Sequence, residues 1–84
     1  MTAQDIENAV RAELRRIAPD IDPAEIVPDR SLREQCDLDS IDFLNLMAAL
    51  GKRFGLPMPE EDYPRLATIS AIVAYIAEKT DQPR

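Results

Sequence analysis

Residues 37–42 read Asp37-Leu38-Asp39-Ser40-Ile41-Asp42, three carboxylates and one hydroxyl at the mouth of an almost uncharged run that continues to Leu50. Three chemistries are open to such a group. A serine nucleophile needs a general base within hydrogen-bond reach. The chain has no histidine, and Lys52 lies about three turns further along the same helix, so autonomous catalysis is not expected and the chain does not read as an enzyme. A calcium loop supplies oxygen ligands at alternate positions, with glycine at the sixth and glutamate at the twelfth. Here Ile41 would fall at the fifth position, Asp42 at the sixth and Ala48 at the twelfth, so no metal site is expected.

The third chemistry is a seat for a phosphoryl group. Serine is a common helix N-cap, and one reading of Ser40 is that it caps the helix that follows; Asp39 competes for the same role. If Asp39 caps, Ser40 becomes the first helical residue, exposed at the positive end of the helix dipole, where an attached phosphate is electrostatically favoured. An acidic setting with Asp42 close behind also fits a serine phosphorylated by a kinase, and phosphate at a helix start would be tolerated.

The helix that must position this group runs from Asp39 or Ser40 to about Phe54, where Gly55, Pro57 and Pro59 end it. On a wheel turning ~100° per residue, Phe43, Leu46, Met47, Leu50 and Phe54 gather on one side. Ile41, Leu44 and Ala48 form a second apolar strip beginning beside the serine, which is more than one bundle face requires. That strip reads either as a contact surface or as further core. Asp42, Asn45, Ala49 and Lys52 complete the circuit.

Three further elements frame this helix. From Asp5 to Ile17 the residues Ile6, Ala9, Val10, Leu14 and Ile17 recur at helical steps, with Glu7 four before Arg11 on the wet side, and Pro19 stops the run. Residues 19–38 form a long connection whose Ile21, Ile26, Val27 and Leu32 predict packing over the bundle. Within it, Asp22-Pro23-Ala24-Glu25 and Ser31-Leu32-Arg33-Glu34 carry the signals of short capped turns. Pro59-Glu60-Glu61-Asp62 predicts a one-turn helix kept short by Pro64, and Thr68 caps a last helix carrying Ile69, Ile72, Val73 and Ile76, with Lys79 near its negative end. No stretch alternates with a two-residue period, so the fold class is all-α: a small four-helix bundle with three longer helices and one short, and a long loop between the first two long helices.

With these elements in place, DLDSIDFLNL resembles the attachment motif of acyl carrier proteins, whose core is Asp-Ser-Leu at the start of the second helix. The order and spacing of the other elements resemble that fold over nearly the whole chain. The resemblance implies that a phosphopantetheinyl transferase moves 4′-phosphopantetheine from coenzyme A to the hydroxyl of Ser40, and that acyl groups are then carried as thioesters on the arm. It further implies that Asp39 helps the transferase recognise the site. Partner enzymes that load, modify or transfer acyl groups would meet the strip of Ile41, Leu44 and Ala48, with Asp37 and Asp42 beside it. An aminoacyl or peptidyl carrier shares this fold and chemistry, and an unmodified helical adaptor docking through the same strip is the alternative from another class.

The chain departs from the family pattern in three ways. The glycine usual three residues before the serine is Asp37, and aspartate tolerates left-handed geometry better than most residues. Where carriers of fatty acid synthesis bear glutamates along this helix, the chain has Asn45, Gly51, Lys52 and Arg53, leaving its acidic groups at Asp37, Asp39 and Asp42 and at Glu60, Glu61 and Asp62. This implies a specialised carrier outside or beside housekeeping fatty acid synthesis, because charge sets partner choice. Cys36 lies four residues before Ser40. It reads as a small buried apolar residue, or, more sharply, as a redox contact for the arm's thiol.

Composition narrows the partners. The sequence holds 84 residues, enough for one domain over 1–84 with its core at about 4–80 and a fraying tail after Thr80. With 10 basic against 16 acidic residues the net charge is −6, which excludes the cationic stripe that nucleic-acid binding needs. Cys36 is the one cysteine, so no internal disulfide forms and a reducing compartment fits. Without a signal-peptide pattern or an apolar stretch of ~20 residues, the expectation is a cytoplasmic protein with no membrane insertion, and a mobile arm visiting several enzymes suits a monomer.

Overall fold

The computed structural model describes residues 2–80. Its elements are α1 (Ala3–Ile17), a 3₁₀ turn (Pro23–Glu25), α2 (Leu32–Gln35), α3 (Ser40–Phe54), a second 3₁₀ turn (Glu60–Arg65) and α4 (Ile69–Thr80). No strand occurs among the described residues. The expected all-α arrangement of three longer helices is therefore observed. The expected fraying tail after Thr80 lies outside the described residues.

Helix α1 begins at Ala3, two residues before the expected start at Asp5. Thr2 and Asp5 form a reciprocal capping box, the Asp5 N–H donating to Thr2 Oγ1 at 3.1 Å and the Thr2 N–H to Asp5 Oδ2 at 3.0 Å. Hydrogen bonding to the Thr2 N–H, and then to the Thr2 side chain, holds the Asp5 carboxyl below its ordinary pKa, because it favours the charged form. The face bearing Ile6, Ala9, Val10 and Leu14 is buried, and α1 packs on both α3 and α4.

The long connection is pinned at several points. Arg11, predicted to lie on the wet side of α1 as a partner of Glu7, does pair with Glu7 at 2.9 Å, yet it is half-buried. Its guanidinium also donates to the carbonyls of Pro23 and Ile26. The Gln35 side chain accepts from the Val27 N–H at 2.8 Å and donates to the carbonyls of Val27 and Arg30 at 2.9 and 3.0 Å. Ser70 of α4 donates through its N–H to the Pro28 carbonyl at 3.0 Å and through its hydroxyl to Asp29 at 2.7 Å. Ile26 and Leu32 are buried, whereas Val27 is exposed.

Both capped turns in this connection form: Asp22 accepts from the Ala24 N–H at 3.0 Å, and Ser31 accepts from the Glu34 N–H at 3.4 Å. The stretch after Pro59 forms a 3₁₀ turn running to Arg65 with Pro64 inside it. The one-turn α-helix is instead α2. Thr68 caps α4 as expected, its hydroxyl accepting from the Ala71 N–H at 3.0 Å. Tyr75, absent from the apolar pattern of α4, is buried beside Ile72 and Ile76 because its hydroxyl has a partner in Asp62 at 2.7 Å.

Helices α2 and α3 end in the same way. Past α3, Gly55 has φ 68° and the Leu56 N–H donates to the Gly51 carbonyl at 2.9 Å. Past α2, Asp37 has φ 52° and the Leu38 N–H donates to the Arg33 carbonyl at 3.0 Å. Both are Schellman terminations, with a left-handed residue followed by an apolar side chain folded back onto the helix. Buried Leu38 plays that second part in α2, and the reversal delivers the chain to the start of α3.

Candidate functional site

The site is built on the first turn of α3. Asp39 takes the capping role: its Oδ1 accepts from the Asp42 N–H at 2.8 Å, while its own N–H donates to Asp42 Oδ2 at 3.4 Å. The competition between Asp39 and Ser40 is thus decided for Asp39, whose longer side chain closes a box with the acid three residues on. Ser40 is the first residue of α3, and it is exposed. Its hydroxyl is not consumed by the helix.

Around this hydroxyl the calculated wheel is realised. Phe43, Leu46, Met47 and Leu50 are buried and Phe54 is half-buried. Ile41 and Leu44 are 68% and 42% exposed, and Ala48 is exposed as well. The reading of this strip as further core is therefore overturned: α3 turns Phe43, Leu46, Met47 and Leu50 into the shared core, where α1 packs on it, and leaves the flank of Ile41, Leu44 and Ala48 to solvent. Asp37 is exposed, and Asp42 is half-buried with its carboxylate engaged in the capping box.

A groove of about 510 Å³ opens beside the serine, between the start of α3 and the 60–65 turn. Ser40, Ile41, Phe43 and Leu44 line one wall, and Glu60, Tyr63 and Pro64 the other. The edge of the Phe43 ring meets Tyr63 at 5.6 Å between centroids with an interplanar angle of 75°, a geometry that aromatic quadrupoles favour. An apolar slot with a hydroxyl at its rim can shelter a flexible chain attached there.

One participant was not foreseen from the sequence. Arg33 of α2, assigned only to a capped turn, brings Nη2 to 3.3 Å from Ser40 Oγ and donates to it. Its Nε lies 3.5 Å from the Leu38 carbonyl. A cation seven residues upstream gives no helical or strand signal; the Schellman reversal at Asp37 brings it near. Cys36 does not reach outward. It is buried in the core, and that burial pushes its thiol pKa up.

Among the described residues no group of three or more histidine, cysteine, aspartate or glutamate side chains is placed to hold a metal ion. No helix of the described residues is long and apolar enough to cross a membrane.

Against known proteins, residues 5–76 match the family described as "Phosphopantetheine attachment site". The chain belongs to the acyl carrier protein family. It is 35% identical over 74 residues to an acyl carrier protein of Streptomyces coelicolor, covering 88% of this chain and 80% of the relative. It is 33% identical over 58 residues to an acyl carrier protein of Rubrobacter xylanophilus, with 69% and 72% covered. The meromycolate extension acyl carrier protein of Mycobacterium tuberculosis is 30% identical over 71 residues, 84% of this chain and 62% of the relative.

The chain is accordingly a carrier and not an enzyme, and its cofactor is 4′-phosphopantetheine. Its partners are the transferase that installs the group and enzymes that handle acyl chains. The residues beside Ser40 fit such a group: an exposed hydroxyl that the helix cap does not consume, a guanidinium for the phosphate and an apolar groove for what the arm carries.

Proposed function

We propose that Ser40 is the attachment residue, joined to 4′-phosphopantetheine by a phosphodiester, and that residues 1–84 act as one monomeric carrier domain in the cytoplasm. The observation that carries this reading is the division of labour at α3: Asp39 caps the helix, so the Ser40 hydroxyl stays exposed as its first residue. The bound group supplies a terminal thiol that holds acyl chains as thioesters. The chain's own residues do the rest. Asp39 and Asp42 fix the first turn of α3 and so hold Ser40 Oγ in one place for the transferase, and the backbone N–H groups there favour the incoming negative charge. Phe43, Leu44 and Tyr63 offer apolar surface that excludes water from an acyl chain.

The exposed strip of Ile41, Leu44 and Ala48 docks partner enzymes, with Asp37 and Asp42 supplying charge at its near end. At the far end of α3, Lys52 and Arg53 present cations beside Arg16. A partner groove that is basic throughout would repel this end, which supports a carrier in a specialised acyl pathway of fatty acid, lipid or polyketide type. That similar carriers include ones named for meromycolate extension is in keeping with this reading.

The test is to load the holo protein with a range of acyl groups by a promiscuous acyl ligase and treat it with neutral hydroxylamine. Release of the acyl group from native protein, and no loading of Ser40→Ala, supports the reading. Stable acylation of both would place the attachment elsewhere.

A further inference from the structure

We infer that Arg33 is a positioning residue for the phosphodiester on Ser40, holding the root of the arm toward the groove between α3 and the 60–65 turn. The inference rests on Ser40 being the attachment residue, and deepens that reading. Its basis is geometric. Nη2 of Arg33 already donates to Ser40 Oγ at 3.3 Å, so phosphate oxygens bonded through that Oγ would stand within reach of the same guanidinium. Guanidinium is planar, always charged, and matches phosphate with parallel N–H donors.

Three further features prepare the side chain. Arg33 is free for the purpose, since none of the ion pairs among the described residues involves it. Its Nε rests at 3.5 Å from the Leu38 carbonyl, which turns the Nη2 edge toward the serine. Its helix is anchored independently by the Ser31 cap and by the Leu32 N–H, which donates to the Ala67 carbonyl at 2.8 Å. The backbone carrying the cation is thus tied to Ala67, another residue lining the groove.

The consequence is directional. Asp39 and Asp42 bracket Ser40 in the first turn of α3 and Asp37 lies three residues before it, negative charge that on its own disfavours a phosphodiester there. Arg33 sits on the groove side and lines the groove itself. A phosphate paired with it leaves the next atoms of the arm starting at the mouth of the apolar slot. Exchange between sheltered and extended arm then includes breaking one charge-assisted contact, which partner surfaces or salt can do.

The experiment compares native, Arg33→Ala and Arg33→Lys proteins. Intact mass is read first, because absence of phosphopantetheine on the native chain would refute the attachment reading and not the role of Arg33. On the loaded proteins, phosphorus NMR and correlation spectra between phosphorus and guanidinium protons follow. The expected result is a correlation from Arg33 to phosphorus in the native protein. In Arg33→Ala, the phosphorus resonance should move to the position of a phosphopantetheinylated short peptide. Arg33→Lys should recover part of the shift, and about 1 M salt should shift the native resonance toward the peptide position, since the screening length there is only ~3 Å. Amide spectra of α4 should be unchanged, because Arg33 is exposed. Identical phosphorus resonances in native and Arg33→Ala proteins, with no correlation to the guanidinium, would overturn the inference.

Discussion

Replacing Asp37 with glycine should stabilise the protein, and the size of the gain follows from the backbone. Asp37 sits at φ 52° in the left-handed region, which costs L-residues about 1–2 kcal/mol, with aspartate toward the lower end. Its carboxylate makes no hydrogen bond among the described residues, so little is lost with the side chain. Glycine also widens the unfolded ensemble, which offsets part of the relief. The net expectation is a gain of about 0.5–1 kcal/mol, or roughly 2–8 °C in Tm for a domain of this size.

Two companion variants isolate the cause. Asp37→Asn keeps a residue that tolerates the left-handed region while removing the charge from the C-terminal end of α2, where the dipole disfavours an anion by a few tenths of a kcal/mol at about its weakest. Gly55→Ala makes the reverse change at the matching position of α3. Gly55 has φ 68° and nothing within 4 Å of an added Cβ, so its loss of about 1 kcal/mol reports backbone strain, less the same unfolded-state offset, with no steric clash. Urea unfolding with a shared m-value provides the comparison. If Asp37→Gly were no more stable than Asp37→Asn, the backbone explanation would be refuted.

Gly51→Ala should destabilise by a different route, because its Cβ would lie 2.7 Å from the Leu56 carbonyl oxygen and 3.1 Å from Met58 Cγ; a loss of about 1–3 kcal/mol in urea unfolding is expected for such overpacking. Alkaline pH should also unfold the protein early. Tyr75 has its pKa raised first by donating to the Asp62 carboxylate and then by burial, and Tyr63 is raised chiefly by burial. Their folded states hold the proton more tightly, so the stability from this source is complete below pH 10 and falls as pH rises through the folded values. Tyr75→Phe should flatten that decline, and unchanged pH profiles in the variant would contradict the assignment.

The sequence and the structure agree most closely where local chemistry decides the outcome. Gly55, Pro57 and Thr68 marked the boundaries of α3 and α4 because caps and breakers act within one turn. Asp39 and Ser40 stood as rival caps until the carboxylate of Asp42 was placed, since a capping box needs both partners. Whether Ile41 and Leu44 belonged to the core was undecidable from a wheel, because the rotation of α3 is set by its packing on α1 and the shared core. Long-range partners were hidden altogether. Glu13, outside the apolar pattern of α1, is buried and paired with Arg53 at 2.8 Å, forty positions on. Arg33 was hidden for the same reason, its position at Ser40 depending on a chain reversal at a non-glycine residue. The motif made the attachment site legible; the cation beside it was not part of any motif.

The account turns on one hydroxyl. Its most direct test is the intact mass of the native protein and of Ser40→Ala after incubation with coenzyme A and a broad-specificity phosphopantetheinyl transferase. The account predicts a gain of one phosphopantetheine on the native chain and none on the variant, with both folded. A native chain left unmodified by several active transferases, or a variant that gains the same mass, would contradict it.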